Sequence, residues 1–69
     1  MPLSMSKLGE TRSIQCINGK DETKRFLESL GFVIGGTVTV ISQISGNLIV
    51  NVKDSRVAIS KTMANRIIV

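Results

Sequence analysis

The sequence predicts a mainly β domain carrying one inserted helix, and three observations support that expectation. Thr37 to Ser60 alternates apolar and polar residues through three runs separated by two tight-turn signals. Asp21 to Leu30 instead places Phe26, Leu27 and Leu30 at i, i+1 and i+4, which is helical spacing. No apolar run approaches the roughly 18 residues that a bilayer-spanning helix needs.

At 69 residues the chain is expected to form one domain, 1–69, with no room for a second core. A chain this small buries a modest share of its surface, so its margin of stability is thin. A hydrophobic content of 42% still argues for a folded domain over a disordered tail. No basic n-region followed by an apolar stretch opens it, so nothing marks it for export. Cys16 is the one cysteine and can form no internal disulfide, which fits a reducing compartment. These features predict a cytosolic protein.

Taken in order, Leu3, Met5 and Leu8 lie among small polar residues, and Gly9 ends a short helical turn or an extended lid. Arg12 to Ile17 alternates as one strand, with Ile14 and Cys16 on the inward face and Ser13 and Gln15 outward. Cys16 then reads as a small buried hydrophobe before it reads as a reactive thiol. Asn18-Gly19 turns the chain into the helix, whose first turn carries Asp21 and Glu22 at the positive end of the helix dipole. Asp21 and Arg25 are four apart with the acid first, the favourable order for a surface pair. Gly31 supplies the stop, because the residue after the last turn often needs positive φ. Phe32 is then expected to fold back over the helix end.

Val33 and Ile34 lead to Gly35-Gly36, a dipeptide suited to a tight reversal before a strand. In the first run of the meander Val38, Val40 and Ile44 face inward and Ile41 falls on the second face. Ser45-Gly46-Asn47 signals a hairpin with Gly46-Asn47 as a favoured loop, and Asp54-Ser55 marks the next turn. Leu48, Val50 and Val52, then Val57 and Ile59, supply the inward positions of the returning strands. Ser60 can cap a brief helical turn over Met63 and Ala64, and a last strand closes the chain. Short strands, tight turns and one helix predict a small SH3-like β-barrel of about five strands. The helix plugs one end with Phe26, Leu27 and Leu30, and closure removes exposed strand edges.

The chemistry that is missing is equally informative. There is no histidine, and Cys16 lacks a CxxC partner, so the usual zinc, haem and iron–sulfur ligand sets cannot be assembled from one chain. Asp21-Glu22 is the one adjacent acidic pair, and a helix start accounts for it better than a metal site. Gly35-Gly36 leads into a strand and lacks the Lys-Ser/Thr of a phosphate loop. Hydroxyls abound with no histidine to activate one. No cofactor and no enzymatic activity are expected. The formal net charge of +4 admits a basic nucleic-acid-binding module as the alternative. Against it, the basic residues are scattered from Lys7 to Arg66, and two phenylalanines are the whole aromatic content.

PLS…LGE, then FLESLGF followed by VIGGTVTV, then SGNLIVNV, then SRVAISKTMANRIIV make up nearly the whole chain. In this order and spacing they resemble the FeoA family, the ferrous iron transport protein A of bacteria. One departure is Ile34-Gly35-Gly36, where many members carry Pro-Gly after the helix exit. The resemblance implies an SH3-like barrel and a cytosolic accessory of ferrous iron uptake. Its implied partner is the large membrane permease, which carries a cytosolic GTPase domain. The family is labelled transition-metal binding by association, although this sequence offers no evident iron ligands. Similar barrels also end iron-dependent repressors, whose DNA-binding helix-turn-helix has no counterpart here.

For an interaction module the expected contacts are Lys20, Lys24 and Arg25 on the outer helix face. Phe32, Val33 and Ile34 at the helix exit either fill the core or, where one or two are exposed, form an apolar contact spot, and Arg56 beside a tight turn completes the candidates. Pairing of two copies through a strand edge, giving a homo-oligomer, is a further expectation.

Overall fold

Alternation in the sequence is strongest between Thr37 and Ser60, and the main sheet forms there. The computed structural model describes residues 1–69. Strands β1 (Thr11–Ser13), β2 (Cys16–Ile17), β3 (Thr37–Ile44), β4 (Asn47–Val52), β5 (Ser55–Ser60) and β6 (Ile67–Ile68) are joined by helices α1 (Asp21–Ser29) and α2 (Lys61–Ala64). A 3-10 turn, Leu3–Met5, precedes them. One antiparallel sheet has the order β1-β3-β4-β5 and a second pairs β2 with β6. Register sets Val38 against Val52, Val40 against Val50 and Leu48 against Ile59, all buried. These cross-strand pairs form the middle of a core of 13 buried residues, every one apolar.

Both hairpins turn one residue earlier than the sequence suggests. The loops are Ser45-Gly46, flanked by Ile44 and Asn47, and Lys53-Asp54, flanked by Val52 and Ser55. All four loop residues have positive φ (47°, 82°, 49° and 61°), the type I′ geometry whose twist matches that of the strands. Register wins over residue preference here: the valines must face each other, so Ser45 and Lys53 accept a conformation that they disfavour.

β3 departs from simple alternation. Its register with β4 shifts between Val40 and Ser42, so Ile41 is the extra residue of a β-bulge. The inward expectation for Ile44 fails for that reason, and its side chain is 58% exposed.

The strand expected over Arg12–Ile17 is also divided. The Ile14 N–H donates to the Gly36 carbonyl, and the next N–H, of Gln15, donates to the Ile68 carbonyl, both at 2.8 Å. The chain therefore leaves β3 at Ile14 and joins β6 at Gln15. That bend shifts the alternation, so the core receives Ile14 and Ile17 while Cys16 stays half-buried. The result is six strands in two sheets, and the ladder does not close into one five-stranded barrel. β5 ends the larger sheet, with α2 packed against β4, β5 and the Leu3–Met5 turn. Beyond β6 lies the chain's own start: Pro2 bridges Ile68, and the Val69 N–H donates to the Met1 carbonyl.

Helix α1 ends as its sequence requires. The Gly31 N–H donates to the Glu28 carbonyl at 2.9 Å and the Phe32 N–H to the Leu27 carbonyl at 3.0 Å. With Gly31 at φ 108°, this is a Schellman cap, and Leu27 with Phe32 supplies its apolar contact. The expected three-residue plug is smaller than the spacing suggests. Leu27 is buried and Leu30 partly so, but Phe26 is 51% exposed, because a nine-residue helix presents only one narrow face to the core. The surface pair of Asp21 with Arg25 does not form; the ion pair present joins Arg12 and Glu10. Ser60 caps α2 as expected, its hydroxyl accepting from the Met63 N–H at 3.2 Å.

Gly31→Ala is expected to cost about 1–2 kcal/mol of unfolding free energy, the penalty of a left-handed L-residue. The added methyl meets the Lys53 stem and a Val52 methyl, each at an ordinary 3.6 Å, so the loss comes from the backbone. Urea denaturation measures it, and an unchanged midpoint would show that the cap does not constrain the helix end.

Candidate functional site

The segment after the cap is short, and its geometry decides what it shows to solvent. Phe32 is drawn inward by the cap, and after four intervening residues the chain must enter β3. Val33 to Gly36 closes a tight turn, with the Gly36 N–H donating to the Val33 carbonyl at 3.0 Å. Gly35 takes φ 87° at the third position, where a type II turn calls for glycine. Ile34 is left at the crest, 70% exposed. An isoleucine held there by backbone geometry is an apolar group the fold itself does not use.

Beside it lies a cleft of about 490 Å³ lined by Cys16, Ile17, Lys24, Glu28, Val33 and Ile34. Ile17, Cys16 and Val33, buried or half-buried, are its apolar part. Lys24 and Glu28, four apart and so on one face of α1, put one cation and one anion on its wall. Neither is ion-paired. Such a surface suits one or two apolar side chains of another molecule, with a polar group steered by the helix wall.

Of the residues expected as contacts, the structure brings Lys24, Val33 and Ile34 together in this cleft. Lys20 and Arg25 are exposed at the start of α1 and on it, outside the cleft lining. Phe32 must be removed from the contact set: as the cap's apolar residue it is fully buried. Arg56 is exposed on β5, which contributes nothing to the cleft. Glu28 was discoverable from its spacing to Lys24. Cys16 and Ile17 were not, since the bend at Ile14-Gln15 alone carries them there.

No three His, Cys, Asp or Glu side chains converge. Cys16 and Glu28 line the same cleft, two donors where a tetrahedral zinc site takes four ligands.

A family model, the FeoA domain, matches residues 1–69. No curated protein gives a significant match. The crystal structure of an iron uptake regulatory protein, FeoA, superposes with a TM-score of 0.90 at 29% identity, covering 97% of this chain and 91% of that one. FeoA of Stenotrophomonas maltophilia, solved in complex with zinc and described as a prokaryotic SH3 domain protein, aligns at 30% identity and a TM-score of 0.73. That alignment spans 99% of this chain and 87% of the other. A manganese-dependent transcriptional repressor matches 97% of this chain with 39% of its own length, at 18% identity and a TM-score of 0.87, a likeness of fold alone.

Phe32 and Ile34, two positions apart, should separate cleanly in stability. Phe32→Ala is expected to lower the unfolding free energy by about 3–5 kcal/mol. Ile34→Ser is expected to change it by less than about 0.5 kcal/mol. Thermal denaturation compares them, and a large loss at Ile34 would return that residue to the core.

Proposed function

This chain belongs to the FeoA family, and from that premise we propose that it is a small cytosolic accessory of bacterial ferrous iron uptake. It binds the GTPase-containing iron permease by protein contact and so modulates transport. The observation that carries this reading is the exposed Ile34 beside an apolar cleft with an unpaired Lys24 and Glu28 on its wall. An exposed apolar side chain continuous with a concave apolar surface offers a contiguous patch of the kind that marks an interaction site. The function needs no bond-making residue from this chain, and Cys16 has no histidine to act as its base. The related Stenotrophomonas protein is described as a candidate ferrous iron transport activating factor, which supports the same role here. Ferrous iron is the cargo of the transport system in this reading, and the chain acts on the carrier.

The test is calorimetric titration of the full chain against the isolated cytosolic GTPase region of the cognate permease, at moderate salt. Saturable binding is expected, and Ile34→Ser should weaken it at least about tenfold, the loss of a central apolar anchor. Lys24→Glu with Arg25→Glu should also weaken it while leaving the thermal midpoint nearly unchanged, since neither parent side chain is paired. Absence of binding, or wild-type affinity in both variants, would overturn the reading.

A further inference from the structure

The larger sheet has two ends, and they are treated differently. β1 is three residues long and bends away into β2, so it offers little to a partner. β5 is six residues long, contains no proline and no bulge, and has no strand beyond it.

The direction of its free backbone groups follows from the ladder. The Lys61 N–H donates to the Gly46 carbonyl at 2.9 Å, and the two-residue loop closes at Val52 and Ser55. In an antiparallel pair the bonded positions alternate, so Ser55, Val57 and Ile59 bond to β4. Arg56 and Ala58 therefore aim their N–H and C=O groups away from β4. Neither residue makes a backbone bond to any turn, loop or other element, and both are exposed. Four backbone groups thus stand ready for one more strand.

Charge selects the occupant. Lys53, Arg56 and Lys61 punctuate this stretch, all exposed and none ion-paired, against Asp54 as its one acid. A second copy paired antiparallel about Val57 would bring Lys53 near the partner's Lys61 at both ends, between two chains that each carry +4. The charges that discourage self-pairing attract a strand rich in carboxylates. We propose that β5 is a docking edge for an extended acidic segment of a partner protein, which adds to the main sheet as its fifth strand. This rests on the chain working by protein contact, but uses a surface separate from the cleft.

The experiment uses the isotope-labelled full chain and a capped peptide of about eight residues alternating valine and glutamate, the length of a common strand. Its counterpart with lysine for glutamate is the control. At low salt the glutamate peptide should slow exchange of the Arg56 and Ala58 amide protons at least about tenfold, the effect of newly made hydrogen bonds. The lysine peptide should not. Ala58→Pro removes an outward N–H without touching the bonds to β4 and should abolish the effect. Should that variant fail to fold, Arg56→Glu should weaken the effect instead. The proposal is overturned if the glutamate peptide leaves Arg56 and Ala58 unprotected, or if both peptides protect them equally. Protection that grows with protein concentration alone would also overturn it, in favour of a second copy. None of these failures touches the permease titration, which is read at Ile34.

Discussion

The Phe32 N–H reaches back to the Leu27 carbonyl at 3.0 Å, and with it the aromatic ring is set beneath the last turn of α1. A domain of this size has no disulfide and little core to spare. One buried aromatic held by a helix cap therefore joins the core cluster that also holds Leu27 of α1 and the buried valines of β3 and β4. Gly31 makes the cap possible because its φ of 108° is open to glycine and strained for other residues. Leu27, Phe32 and the strand valines thus belong to one buried cluster.

The same constraint produces the exposed site. Once Phe32 is committed inward, the chain has Val33 to Gly36 in which to turn and begin β3. Gly35 permits that turn and Ile34 is lifted to its crest. Three consecutive apolar residues thus divide their duties by geometry: Phe32 fills the core, Val33 is half-buried in the cleft, and Ile34 meets solvent. The FeoA family membership supplies the transport context, and the chain's own turn supplies a surface suited to it.

What the sequence disclosed was mostly local. The Schellman cap was legible from Gly31 and Phe32, and the Ser60 cap from its place before Met63, because both depend on residues within one turn. The hairpins were legible to within one residue, with cross-strand valine pairing deciding the final register. The Ile41 bulge and the bend at Ile14-Gln15 were not legible, since each is decided by which strand lies alongside. Those two long-range features exposed Ile44 and moved Cys16 and Ile17 to the cleft. Half of the site could therefore be named from its residues, namely Lys24, Val33 and Ile34. The other half waited for the strand path, and Phe32 had to be given back to the core.

The central claim is that the corner after α1 presents the partner-facing surface. The most direct measurement is the map of backbone amide shifts in the labelled chain when the unlabelled GTPase region of the permease is added to saturation. The account expects the largest changes to form one contiguous patch over Cys16-Ile17, Lys24 to Glu28 and Val33-Ile34. A saturated complex that leaves all of these amides unmoved would contradict it.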